Sequence, residues 1–219
     1  MLAAGTHGNE PAASWALLNI VESGLLHPAF SYRMWPCINP SGYELETRSN
    51  AEGSDINRSF SGGGTTPEAK AIITSNRDRR FFASFDLHED PEAAGFYCFE
   101  PARPDQPLLG DQVIKAIDEA GFPLQTLSAE FDLGYEQDVM PNARLEQGRV
   151  LLDLASELQY FQERGLPFTA YMLRRASRCG LTFEAPGTRS WDERISVQRV
   201  AIVRALSELA KVSSAQPPN

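Results

Sequence analysis

Apolar positions along the 219-residue chain switch between short unbroken runs and stretches of helical period. The chain opens on the apolar run Met1-Leu2-Ala3-Ala4, which reads as the tail of a strand, with a residue or two of that strand expected upstream. A Gly/Asn loop from Gly5 to Asn9 follows. Ala13, Leu17, Ile20 and Val21 then share one face of a helix, with Gly24 as its stop. Tyr32 to Ile38 reads as a strand closed by Asn39-Pro40. From Ser41 to Gly64 no period is visible, and a loop this long in a compact domain is functional or disordered. Thr66-Pro67 supplies an N-cap and a first-turn proline for a helix carrying Ala69, Ile72 and Ile73.

Phe81 to Leu87 and Phe96 to Phe99 read as buried strands. Leu109, Val113, Ile117 and Ala120 repeat at helical spacing and end near Gly121; Leu151, Leu154, Leu158 and Phe161 do so before Gly165. A short strand, Leu181 to Phe183, leads into Glu184-Ala185-Pro186. Ile195, Ile202, Val203, Leu206 and Leu209 form one apolar stripe of a final helix. Alternating strands and helices predict an α/β fold. With no repeat and no linker, residues 1–212 are expected to form one domain and 213–219 a frayed tail.

Charge narrows the choice of partners. Lys and Arg number 20 against 29 Asp and Glu, a net charge of -9, which repels phosphate backbones and anionic membrane surfaces. No nucleic-acid or membrane partner is expected, and no apolar run approaches the ~20 residues that span a bilayer. Cys37, Cys98 and Cys179 are far apart and odd in number, so they predict free, mostly buried thiols rather than a disulfide framework. No signal peptide is visible at the start of the chain, and a cytoplasmic protein is expected.

Four clusters carry candidate chemistry. His7 and Glu10 stand in Thr6-His7-Gly8-Asn9-Glu10, a spacing that brings an imidazole and a carboxylate to one metal when the chain turns between them. A catalytic zinc site needs about three such ligands and an open position for water. His88 ends an apolar strand, where a ligand is rigidly held and faces a cleft, although such a histidine also serves a purely structural role. His27, before Pro28, has no acidic or cysteine neighbour at ligand spacing and reads as surface. Arg48, Asn57 and Arg58 fall in the aperiodic segment, either as a solvated charged loop or as guanidinium groups suited to grip a carboxylate. Glu184 follows a short apolar strand, where a partly desolvated carboxylate can act as a general base.

Their order is more informative than any one of them. Gly5-Thr6-His7-Gly8-Asn9-Glu10, Asn39-Pro40-Ser41-Gly42-Tyr43-Glu44, Arg48, Asp55-Ile56-Asn57-Arg58, Asp86-Leu87-His88 and Phe183-Glu184 together resemble the zinc carboxypeptidase family. This is the carboxypeptidase A-like clan, which includes succinylglutamate desuccinylase and aspartoacylase. The resemblance covers residues 1–100 by motif, and 181–188 and the last helix by position; residues 101–180 match no motif and are where substrate-determining features are expected.

The resemblance implies a three-layer α/β/α fold with a mixed, largely parallel sheet. It implies one zinc ion on His7, Glu10 and His88, Arg48 at the scissile carbonyl, Asn57 and Arg58 on the substrate's terminal carboxylate, and Glu184 as general base. The expected substrate is a peptide with a free carboxylate, cut at its C-terminal amide; the alternative is an N-acyl amino acid, cut by a deacylase. The Gly42-Tyr43-Glu44 piece before Arg48 leans to the peptidase side. A retained fold without catalysis is the third reading. The digestive enzymes of the family use a mobile tyrosine, for which Tyr171 is a candidate without a motif. Glu89-Asp90 after His88 is expected to add negative charge near the rim.

Overall fold

Period-two alternation along the longest strands decides which face each side chain takes. In β3 (Phe81–Asp90), Ala83, Phe85 and Leu87 enter one hydrophobic core, and in β7 (Ser177–Pro186) Cys179, Leu181, Phe183 and Ala185 enter the same one. The even-numbered residues between them, Asp86, His88, Thr182 and Glu184 among them, point to the opposite face. The computed structural model describes residues 1–104, 106–126 and 143–214.

Among the described residues seven strands form one sheet, in the order β2-β1-β3-β7-β4-β6-β5. The remaining strands are β1 (Leu2–Ala4), β2 (Met34–Trp35), β4 (Tyr97–Ala102), β5 (Arg144–Glu146) and β6 (Arg149–Asp153). β2, β1, β3 and β7 run parallel, β4 turns antiparallel to β7, β6 runs parallel to β4, and β5 closes a hairpin on β6. Helices α1 (Pro11–Glu22), α4 (Gly110–Glu119) and α7 (Trp191–Ser214) cover the first core. Helices α3 (Pro67–Ser75), α5 (Leu154–Arg164) and α6 (Phe168–Arg175) cover the second, on the other face. The fold is therefore the expected α/β/α sandwich on a mixed sheet.

The first core is anchored by Phe85 and Phe96, whose rings lie 5.7 and 6.1 Å from that of Phe183. All three are buried, and each such side chain contributes on the order of 1.5–3 kcal/mol. Thr66 caps α3 through the Ala69 amide at 3.3 Å, as its sequence position predicts. Cys37, Cys98 and Cys179 are free thiols, the last two buried.

Several elements depart from the sequence reading. Asn39-Pro40 does not merely close a strand: Asn39 caps a six-residue helix, α2 (Pro40–Leu45), accepting from the Gly42 amide at 2.9 Å. A 3-10 turn, Ile56–Arg58, follows, so the aperiodic segment is largely ordered. Leu151 lies in β6 rather than on the helix, because Gln147 and Gly148, at φ 46° and 79°, make the tight turn that pairs β5 with β6. Helix α5 starts at Leu154, capped by Asp153. Helix α6 has no counterpart in the sequence reading. Ser213 and Ser214 belong to α7, and the rest of the expected frayed tail, residues 215–219, lies outside the described residues.

Candidate functional site

From β1 the chain passes through α1 to β2 on one side, while β3 lies on the other side of β1. Loops that leave adjacent parallel strands in opposite directions open a crevice at the strands' carboxyl ends. His7 and Glu10 follow β1 at that crevice, and His88 lies near the end of β3. All three are at least 95% buried, with exposures of 3%, 5% and 2%.

The His7 loop is held by backbone contact. A Cβ on Gly8 would stand 1.9 Å from the Gly42 carbonyl carbon, and one on Gly42 would stand 2.3 Å from Asn39 Nδ2. Two glycines of the sequence motifs thus let the turn carrying His7 dock on α2. Asn39 Nδ2 also donates to the Arg48 carbonyl at 3.2 Å, tying Arg48 to the same unit.

Ligand-capable atoms of His7, Glu10 and His88 all lie within 4.8 Å of one another. His7 Nδ1 is 2.5 Å from Glu10 Oε1, and His88 Nδ1 is 2.8 Å from Glu10 Oε2. The outer nitrogens face carboxylates: His88 Nε2 is 2.9 Å from Asp86 Oδ2, and His7 Nε2 is 3.3 Å from Asp55 Oδ1. A carboxylate thus stands behind each imidazole, and both Nδ1 atoms face Glu10. Two imidazole nitrogens and one carboxylate, each oriented from behind, fit a metal ion with an open position.

Charges inside the cluster compensate one another. Burial would raise the Glu10 carboxyl, but His7 and His88 outweigh it and hold it far below the carboxylate range. Burial would lower His88, but Asp86 and Glu10 outweigh it and raise the imidazole well above its usual value. Asp55, desolvated yet facing His7, Arg48 and Arg58, is also held low. A metal entering this site must displace the His88 proton, so apparent affinity rises with pH. Asp86→Asn is expected to weaken metal affinity roughly 10- to 100-fold, read by competition with a chelating dye; unchanged affinity would mean that Asp86 does not orient His88.

Around this cluster lies a cavity of about 320 Å³, lined by His7, Glu10, Arg48, Asn57, Arg58, His88 and Glu184 together with residues of β4, α5 and α6. The seven residues to which the resemblance assigns a role thus line one cavity. Glu184 stands beside His88 in the β3–β7 register, on the same sheet face. Desolvation pushes its carboxyl well above the usual range, with His88 pulling the other way. Arg48 is half exposed; its Nη2 lies 3.1 Å from Asp55 Oδ2 and its Nη1 3.8 Å from Glu10 Oε1. Asn57 Oδ1 accepts from the Phe168 amide at 2.9 Å, which turns its NH2 group elsewhere. The Arg58 guanidinium lies 4.8 Å over the Phe161 ring.

Glu89 does not add free charge at the rim. It is buried, accepts from the Ala12 amide at 2.6 Å and pairs with Arg194 at 2.5 Å, so it caps the N-terminus of α1 instead. Tyr171 is not brought to the cavity; its ring stacks on Phe60 at 5.8 Å, while Tyr97 and Tyr160 line the cavity. His27 sits apart from the site, its ring 5.7 Å from Phe30.

Sequence reasoning assigned no role to Asp55, Asp86 or Glu157. Strand alternation carries the signal for Asp86, two residues before His88. For Glu157 the signal is an acid three residues after Leu154, on the buried stripe of α5. Glu157 is 4% exposed, and among the described residues its Oε2 has no hydrogen-bond partner. Desolvation pushes this carboxyl up to about 8, with Arg58 opposing. The folded state therefore holds the proton between the unfolded value of 4.5 and about 8, and stability falls as pH rises through that window. Glu157→Gln is expected to raise the unfolding temperature at about pH 9 and leave it nearly unchanged at about pH 5. An equal change at both would mean that the carboxyl does not titrate on unfolding.

Comparison with known proteins places this architecture. The profile of the succinylglutamate desuccinylase/aspartoacylase catalytic domain matches residues 1–210. Carboxypeptidase SOL1 of Arabidopsis thaliana is 34% identical over 116 residues, which is 41% of this chain and 22% of that protein; the chain thus spans about a fifth of this curated relative. A candidate metallopeptidase from Shewanella denitrificans OS217 superposes with a TM-score of 0.72 at 20% identity, covering 95% of this chain and 74% of the other. A metallo-carboxypeptidase from Burkholderia cenocepacia gives 0.66 at 16% identity, covering 96% and 57%. A succinylglutamate desuccinylase/aspartoacylase from Rhodobacter sphaeroides gives 0.57 at 18% identity, covering 95% and 55%. The structural likenesses carry the fold, and the profile, spanning nearly the whole chain, carries the family: this chain belongs to the succinylglutamate desuccinylase/aspartoacylase catalytic domain family.

Proposed function

We propose that the protein is a zinc metallocarboxypeptidase that hydrolyses the C-terminal amide bond of a peptide. The observation that carries this reading is the meeting, in one cavity, of the His7-Glu10-His88 cluster, the Glu184 carboxylate and the Asn57 and Arg58 side chains. His7, Glu10 and His88 would hold the zinc ion, which when bound would supply a Lewis acid and lower the pKa of water towards about 7. Glu184 takes the proton of the attacking water and passes it to the leaving amine. Arg48, at the mouth of the cluster, stabilises the oxyanion as the carbonyl carbon becomes tetrahedral. The NH2 group of Asn57 and the Arg58 guanidinium hold the terminal carboxylate, which fixes the scissile amide before Glu184. The three free thiols support a reducing, cytoplasmic setting.

The second reading, an N-acyl-amino-acid deacylase, uses the same ligands, base and clamp, and the family profile favours it. Succinylglutamate carries more than one carboxylate. Among the described lining residues the cavity offers two guanidinium groups, and Glu157 stands beside one of them, which disfavours such polyanions.

Mass spectrometry of the zinc-loaded protein with free peptides, their C-terminal amides, and N-acetyl and N-succinyl amino acids separates the readings. Release of a C-terminal residue is expected from free peptides, with amidation reducing kcat/KM by at least roughly 10-fold through loss of the charge-assisted contact. Hydrolysis confined to the acyl amino acids would replace this proposal by the deacylase, and equal cleavage of acids and amides would remove Asn57 and Arg58 from the substrate carboxylate.

A further inference from the structure

The cavity beyond the metal cluster is walled by Arg58, Glu157, Tyr160, Phe161, Thr169 and Thr182. Thr169 and Thr182 satisfy each other, Oγ1 to Oγ1, at 2.7 Å. Arg58 donates to the Asn57 carbonyl and lies over Phe161. Glu157 differs from both: it is 4% exposed, lines the cavity, and among the described residues its Oε2 has no donor. A buried carboxyl without a partner is costly and persists where something else supplies the donor. Among the described residues, the charge opposing its desolvation is the Arg58 guanidinium. Once a substrate carboxylate occupies Arg58, that charge is neutralised and Glu157 is left with none.

We propose that Glu157 is the specificity-determining residue of this cavity and receives the positively charged side chain of the amino acid that is released. This rests on the reading of Asn57 and Arg58 as the carboxylate clamp. A residue with its carboxylate on Arg58 and a cation beside Glu157 supplies the donor that Oε2 lacks and the positive charge under which this carboxyl, otherwise protonated below about 8, gives up its proton. Tyr160 and Phe161, the aromatic part of that wall, offer apolar surface to the aliphatic stem of such a side chain. An acidic side chain would instead meet a second buried carboxyl.

The test uses the zinc-loaded protein and two matched series. Peptides ending in Lys, Arg, norleucine or Glu form one; the N-acetyl derivatives of the same four amino acids form the other. The expected result is a preference for Lys or Arg over norleucine of roughly 10-fold or more in kcat/KM, carried by KM, with Glu the poorest. In Glu157→Gln the Lys-to-norleucine ratio is expected to fall to within about threefold, again through KM, with the unfolding temperature at about pH 7 showing that the variant folds. A wild-type ratio near one, or an unchanged ratio in the variant, would overturn the inference. If the peptides fail but acetyl-lysine outruns acetyl-norleucine, the carboxypeptidase reading falls and the role of Glu157 stands. Hydrolysis in neither series would overturn both.

Discussion

Glu184→Gln is expected to lower the rate of hydrolysis by roughly 10²- to 10⁴-fold, the range that a positioned general base contributes, and to leave metal content unchanged. Glu184 is the neighbour of His88 across the β3–β7 ladder but is not one of the three converging ligands, so the substitution removes a proton acceptor and keeps the metal. Glutamine fills the same volume, and two long central strands hold the backbone there. Desolvation raises the carboxyl, which makes it a stronger base than a solvated glutamate. Wild-type kcat/KM should therefore rise with pH as Glu184 loses its proton, and the residual rate of the variant should lack that limb. The check is metal analysis of both proteins beside rates measured across pH. A variant with near-normal rate would move the base elsewhere, and one without metal would make Glu184 a ligand.

The legibility of this site in the sequence follows from its construction. His7, Glu10, His88 and Glu184 stand at the ends of parallel strands, where a run of apolar residues announces the strand and the first polar residues after it face the crevice. Asp86 is legible for the same reason, since alternation puts it on the face of His88. Gly8 and Gly42 could be seen only as loop glycines, because their reason is the approach of two backbones from segments more than thirty residues apart.

What periodicity missed was short or interrupted. Helix α2 is six residues long, fewer than two full turns, and its evidence was a cap rather than a stripe. In the 151–161 segment one apolar series ran across a strand–helix junction, and the Gln147-Gly148 turn and the Asp153 cap decided where it broke. Glu89 shows the converse error. Beside His88 an acid reads as rim charge in one dimension, whereas the pleat sends it to the other face, onto α1 and Arg194.

Zinc added to the metal-stripped protein is expected to raise its unfolding temperature by roughly 5–10 °C at about a hundredfold excess over Kd, because a ligand that binds only the folded state adds ~2.7 kcal/mol there and each kcal/mol moves a domain of this size by ~2–4 °C. Glu10→Gln should abolish that shift. Glu10 bridges both imidazoles, one through each oxygen, and its Oε2 also accepts from the Glu89 amide at 3.1 Å, so a neutral amide cannot reproduce either its charge or its bonding. The shift should grow with pH, since the raised His88 must shed a proton before its Nδ1 can bind a cation, and that release is easier as pH approaches the raised value. Differential scanning fluorimetry across pH, with and without a chelator, measures all three. A zinc shift that survives in Glu10→Gln would put the ion elsewhere, and one that shrinks as pH rises would mean that His88 binds no metal through the nitrogen now facing Glu10.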